Sequence, residues 1–220
     1  MKYRNLLFDL DGTLTDSSEG IIKCAIYAFE KMGIEVPDIE ELKTFIGPPL
    51  GDSFVNHGVA EEDRSRIVDI FRERYIPIGK FENKPYPGMI DLLDRLKKEG
   101  FKLYVATSKP EKTAKEVLAH FDMDKYFEEI AGATMDGSRE RKEEVIAYLL
   151  NKVDNVENDG DTVMIGDTAF DVRGAAELGI PCIGVSWGFG DLNEMREAGA
   201  IGIVETMEQL YEMVNKEDKA

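Results

Sequence analysis

Several short stretches of this sequence carry residues able to do chemistry on a phosphate. Asp9-Leu10-Asp11-Gly12-Thr13 sets two carboxylates two residues apart, beside a glycine and a hydroxyl. Thr107-Ser108-Lys109, Lys142, Gly166-Asp167 and Asp171 follow in that order. Clustered carboxylates repel one another unless a cation sits among them. An oxygen-only ligand set favours a hard ion, and magnesium is the usual one beside phosphate. A carboxylate that attacks phosphorus must overcome repulsion between two anions, which magnesium and Lys142 would offset. A second carboxylate two residues on can give a proton to the leaving oxygen and later take one from water. Alone, Asp-x-Asp-Gly-Thr reads equally well as a turn. The later stretches shift that balance, because each follows a strand or opens a helix.

The elements that must position these residues are legible from periodicity. Tyr3 to Phe8 reads as a buried strand ending at Asp9. A helical pattern runs from Ser17 to Met32, with Asp16 or Ser17 as cap and Gly33 as stop. The pattern stays helical, with breaks, to about Lys84: Ile39 to Phe45, a Gly47-Pro48-Pro49 turn, Leu50 to His57, then Glu61 to Ile76. No strand signal appears there. Lys84-Pro85-Tyr86-Pro87-Gly88 reads as a linker.

Beyond it strands and helices alternate. Strands are expected at Lys102 to Ala106, Ile130 to Gly132, Thr162 to Ile165, Cys182 to Val185 and Ile201 to Val204. Helices are expected at Met89 to Glu99, Pro110 to Phe121, Arg139 to Lys152, Phe170 to Leu178 and Met207 to Val214. This grammar predicts an α/β fold: a doubly wound, Rossmann-like parallel sheet core with an inserted all-α cap domain. The core takes residues 1–15 and 86–220, the cap 16–85. In such a sheet ligands bind at the carboxyl ends of the strands, where the carboxylates, the hydroxyl and the lysine converge.

Composition removes other classes. The 220 residues are 43% hydrophobic and 32% charged, as in a foldable soluble protein. A formal charge of −17 disfavours nucleic-acid binding, so a phosphate must be held locally. No apolar run approaches the roughly 20 residues of a membrane span, and no signal peptide is evident, which points to the cytoplasm and to no membrane partner. Cys24 and Cys182 read as buried free thiols, and no Cys/His cluster suggests zinc.

Phe8-Asp9-Leu10-Asp11-Gly12-Thr13-Leu14 resembles the first motif of the haloacid dehalogenase superfamily. The whole chain resembles its phosphoglycolate-phosphatase-like members, which carry a helical cap after that motif. The resemblance implies an aspartyl-phosphate intermediate. It makes Asp9 the nucleophile and a magnesium ligand, and Asp11 the acid/base residue whose backbone carbonyl also reaches magnesium. Thr107 matches the hydroxyl that holds phosphoryl oxygens, assisted by the Ser108 amide, with Gly12 and Thr13 as further substrate-binding positions. Lys142 matches the third-motif lysine, Asp167 the acidic magnesium ligand of the fourth, and Asp171 a further ligand or its outer partner. Many relatives hold the lysine in Gly-Lys-Pro. Here Arg139 and Arg141 flank it as rivals, and Lys142 is preferred because it directly precedes a helical run.

The function expected is hydrolysis of a small phosphorylated metabolite, phosphoglycolate or a nucleoside monophosphate first, by a monomer or homodimer. A phosphosugar mutase or pyrophosphatase would use the same Asp9 and Asp11. A dehalogenase would lack Asp11. A phosphonate hydrolase would need a cap lysine such as Lys23 or Lys43, both more simply read as solvated charges. A phospho-Asp signalling module would need neither cap nor Asp11. His57 and His120 read as surface or packing residues. Trp187 and Phe189 could touch substrate or pack under a glycine loop, and Ile46 to Leu50 could face the site or simply break a helix.

Overall fold

Asn5-Leu6-Leu7-Phe8 is buried on both faces, so it must lie at the centre of a sheet with cover on each side. In the computed structural model, which describes residues 3–153 and 160–215, this stretch is β1 (Asn5–Phe8). The chain continues through β2 (Thr15–Asp16), α1 (Ser18–Met32), α2 (Ile39–Leu42), α3 (Leu50–Asn56), α4 (Arg64–Tyr75) and β3 (Lys84–Pro85). Then come α5 (Met89–Lys98), β4 (Lys102–Pro110), α6 (Glu111–His120), β5 (Glu129–Ala133), α7 (Lys142–Lys152), β6 (Thr162–Gly166) and α8 (Ala169–Glu177). β7 (Cys182–Val185), α9 (Leu192–Glu197), β8 (Gly202–Val204) and α10 (Met207–Asn215) complete it.

The main sheet is parallel with strand order β5-β4-β1-β6-β7-β8. Side chains alternate across it, as the two-residue period of a strand requires. Leu6 and Phe8 join one core with α5, α6 and α10, while Leu7 joins the other with α7, α8 and α9. The strand order reverses between β4 and β6, on either side of β1, and that switch point is where doubly wound sheets bind ligands. The fold is the α/β, doubly wound arrangement expected.

Helices α1 to α4 build a third core of their own. Phe29, Phe45, Phe54 and Phe71 meet edge to face around Cys24, Leu42 and Ile67. Both crossings between this segment and the sheet lie side by side, because β2 pairs antiparallel with β3, Thr15 opposite Pro85 and Asp16 opposite Lys84. This small sheet differs from the linker expected at Lys84-Pro85, because each strand is too short to show alternation. Pro85 has no N–H to donate, which a two-residue edge pair tolerates. Buried Lys80 pairs with Glu116 of α6 and ties the helical segment to the sheet domain.

Other differences are local. β4 extends past Ala106 to Pro110, with a register shift against β5 after Thr107. Helix α7 starts at Lys142 rather than Arg139, where the Glu144 carboxylate accepts the backbone N–H groups of Glu140 and Arg141. Helix α9 had no expectation, being too short for its period to register. Cys24 and Cys182 are buried and free. No helix among the described residues is long and apolar enough to cross a membrane.

Phe54 is fully buried at the centre of the third core. Phe54→Ala should cost about 3–5 kcal/mol in denaturant unfolding, unless the helical segment melts separately, in which case its own earlier transition carries the loss.

Candidate active site

Asp9 follows β1 directly, and its backbone N–H donates to the Ile165 carbonyl of β6, so the chain carries it across the switch point. Asp167 follows β6 directly, and Asp171 lies in the first turn of α8. The three carboxylates are buried, each offering an oxygen within 4.8 Å of the others. Lys142, the first residue of α7, reaches in from the opposite side. Its Nζ lies 2.9 Å from Asp9 Oδ1 and 2.7 Å from Asp171 Oδ1, and donates to the Ala106 carbonyl at 3.1 Å.

Each carboxylate is aimed by a neighbour. Thr13 Oγ1 donates to Asp167 Oδ1 at 3.1 Å, and the Phe189 N–H donates to Asp167 Oδ2 at 2.9 Å. Thr168 donates to Asp171 Oδ2 from both its N–H and its hydroxyl, at 3.0 and 2.8 Å. Glycines let the backbone close on these side chains. Gly12 has φ +87°, and a Cβ there would stand 2.2 Å from Asp167 Oδ2; a Cβ on Gly166 would stand 2.3 Å from Asp171 Cγ.

Burial sets the electrostatics. It pushes the Asp9 carboxyl up to about 6; Lys142 pulls it down, while Asp171 and Asp11 push it further up. Burial, then repulsion from Asp171 and Asp9, holds Asp167 well above the usual carboxylate range. Burial would lower the Lys142 ammonium, but Asp171 and Asp9 outweigh it and hold its pKa above the usual lysine range. One lysine therefore faces three buried carboxylates, and the donor set is all oxygen. That arrangement fits a hard divalent cation among Asp9, Asp167 and Asp171.

A cleft of about 110 Å³ opens between this cluster and the helical segment. Its floor is Asp9, Asp11, Thr107, Ser108 and Lys109; its far wall includes Ile21, Phe45, Leu50, Phe71 and Tyr75. Gly47 and Pro48 also line it, so the turn after α2 does face the site. Asp9, Asp11, Thr107, Ser108 and Lys142 are thus brought together with Asp167 and Asp171. Gly12 and Thr13 are not among the residues lining the cleft; they stand behind Asp167 and support it.

Arg139 and Arg141 point elsewhere. Arg139 binds Glu111 and the Gly132 carbonyl and stacks on Tyr148, while Arg141 is exposed beside Glu143. Trp187 Nε1 donates to the Thr13 carbonyl at 3.1 Å, and Phe189 packs against the helical segment, so this loop braces the site. His57 packs on Phe45 and His120 on Phe81. Lys23 and Lys43 form surface ion pairs with Glu19 and Glu40. Sequence reasoning gave Lys109 and Tyr75 no role. Lys109 Nζ sits 2.6 Å from Asp11 Oδ2, beside the Tyr75 ring; its place after Thr107-Ser108 was the available signal.

Residues 6–185 match the family model described as "Haloacid dehalogenase-like hydrolase". The chain belongs to that family, and fold, site and relatives make it an enzyme of the phosphoric monoester hydrolase class. It is 43% identical to a 5'-nucleotidase of Pseudomonas aeruginosa over 89% of this chain and 88% of that one. It is 40% identical to the tyrosine-protein kinase PtkA of Mycobacterium tuberculosis over 84% of this chain, spanning 62% of that longer protein. The crystal structure of a predicted phosphatase from Clostridium acetobutylicum superposes with a TM-score of 0.92 at 43% identity, over 97% of this chain and 99% of that one.

A carboxyl raised by folding contributes stability that is fully present below its ordinary value of 3.8 and is lost as pH rises through about 6. The metal-free protein should therefore carry its full electrostatic penalty at neutral pH. Magnesium should raise the thermal midpoint clearly at about pH 7.5 and hardly at about pH 4.5, below the raised Asp9 value, and Asp167→Asn should shrink the neutral-pH gain. Equal midpoint gains at both pH values would contradict this account of the cluster.

Proposed function

We propose that this enzyme is a magnesium-dependent phosphatase acting on a small phosphomonoester through an aspartyl-phosphate at Asp9, with a nucleoside monophosphate ahead of phosphoglycolate as substrate. The observation that carries the reading is the position of Asp9 between two unlike surroundings. On one side stand Lys142, Asp167 and Asp171; on the other Asp11 lines a cleft whose far wall is apolar.

In this reading an Asp9 oxygen attacks phosphorus in line, and the bond to the leaving oxygen breaks as Asp11 gives that oxygen a proton. Water then attacks the same phosphorus, Asp11 takes its proton, phosphate leaves and the Asp9 carboxylate is restored. Lys142 and the Thr107 hydroxyl, with the Ser108 amide, hold phosphoryl oxygens. Magnesium held by Asp9, Asp167 and Asp171, with the Asp11 carbonyl, would supply positive charge against the repulsion between nucleophile and phosphate.

Residues 16–85 act as a cap that excludes water and selects the leaving group. The leaving oxygen lies beside Asp11, so the rest of the leaving group occupies the space walled by Ile21, Phe45, Leu50, Phe71 and Tyr75. Apolar and aromatic walls suit a planar base. Among the described residues lining the cleft, the cation a glycolate carboxylate would meet is Lys109, which is already paired with Asp11. The name of the Pseudomonas relative agrees with this preference.

The test is a phosphate-release panel with magnesium: nucleoside monophosphates, phosphoglycolate, a hexose phosphate and pyrophosphate. Nucleoside monophosphates should give the highest kcat/KM, and Asp9→Asn should release no phosphate from any of them. Phosphoglycolate winning the panel would overturn the substrate preference. Full activity in Asp9→Asn would overturn the mechanism. Interconversion of hexose phosphates without free phosphate would favour a mutase. An ATP arm with tyrosine-containing protein covers the activity named for the mycobacterial relative.

A further inference from the structure

Lys109 is a buried cation outside the cluster around Asp9, and the mechanism above leaves it unused. Its side chain is 4% exposed, and its Nζ makes a 2.6 Å contact with Asp11 Oδ2. The other oxygen, Asp11 Oδ1, is buried and has no hydrogen-bond partner among the described residues. Asp11 is therefore held by one oxygen, and the residue lines the cleft.

Lys109 is itself fixed. It stands where β4 shifts register against β5, and its N–H donates to Thr107 Oγ1 at 3.2 Å. A Cβ on Gly132 would meet its carbonyl oxygen at 2.5 Å, so the neighbouring strand leaves its backbone no slack. The Tyr75 ring, from α4, lies 5.2 Å from Nζ on the cleft side. A buried ammonium without a counter-ion is costly, so Lys109 and Asp11 each hold the other in place.

We propose that Lys109 is a positioning residue that fixes the Asp11 carboxyl through Oδ2 and so sets its orientation at the cleft, from which it serves the leaving oxygen. This rests on the reading of Asp11 as the proton carrier. Lys109 touches no reacting atom; it acts through Asp11, and Tyr75 links its position to that of the helical segment.

The test uses kcat/KM for two substrates, since that parameter reports the steps through leaving-group departure. An alkyl phosphate needs its leaving oxygen protonated; p-nitrophenyl phosphate scarcely does. Lys109→Met should lower kcat/KM for the alkyl phosphate by about 100-fold, the scale of lost acid catalysis. The loss on p-nitrophenyl phosphate should be at least about tenfold smaller, with KM little changed on either. Lys109→Arg should recover part of the alkyl activity. In an Asp11→Asn background Lys109→Met should add nothing further.

Equal losses on both substrates, or additive losses in the double variant, would assign Lys109 a merely structural role and overturn the inference. A raised KM at unchanged kcat would make it a substrate ligand and overturn it too. Should Lys109→Met fail to fold, Lys109→Gln and the charge-neutral Lys109→Met/Asp11→Asn pair carry the same comparison. Wild-type rates in Asp11→Asn on both substrates would overturn the reading of Asp11 and this inference together; normal Asp11 dependence with equal losses at Lys109 overturns the inference alone.

Discussion

Everything at the carboxyl edge of the sheet answers to one constraint: three buried carboxylates, Asp9, Asp167 and Asp171, share one space with a single lysine. Desolvation makes each charge costly, and mutual repulsion adds to that cost. Lys142 bridges Asp9 and Asp171 and offsets part of it. The remainder explains the raised pKa of Asp9 and Asp167, and it is the physical reason the cluster suits a divalent cation. With Lys142, a divalent cation there would balance the three carboxylates, so an incoming phosphate would no longer meet net negative charge.

The scaffold meets the constraint through topology. β1 is flanked by β4 and β6, so residues far apart in sequence leave adjacent strands at the same edge. Lys142 and Asp171 come from the first turns of α7 and α8, whose partial positive charge favours the Asp171 carboxylate. Glycines at 12 and 166 let the backbone touch the carboxylates, where any larger residue would displace them. The helical segment, with a core of its own and two adjacent antiparallel crossings, supplies the opposite wall of the cleft. The carboxylates thus stand at strand ends and helix starts, and the wall facing them belongs to a segment with its own core.

Much of this was legible in the sequence where a pattern repeats. Continuous apolar runs ending in Asp9 and Asp167 marked central strands and placed both carboxylates at one edge. Lys142 could be chosen over Arg139 and Arg141 because Glu143 and Glu144 mark a helix start, and the structure shows the two arginines engaged elsewhere. The features not legible there lack a period or depend on distant partners. β2 and β3 are two residues each, and α9 is six. Lys109 gains its meaning only from Asp11 and Tyr75, which no spacing rule links to it. Gly12 and Thr13 read as substrate positions, yet their contacts run to Asp167, because the turn after β1 folds them inward.

The chemistry assigned to Asp9 is tested most directly by trapping. Borohydride reduces an acyl phosphate and leaves a carboxylate intact. Enzyme quenched during turnover of a phosphomonoester with magnesium and reduced at once should carry homoserine in place of Asp9, found by peptide mass spectrometry and absent without substrate. Phosphate release with Asp9 unmodified, or with the reduced residue at another position, would contradict the account.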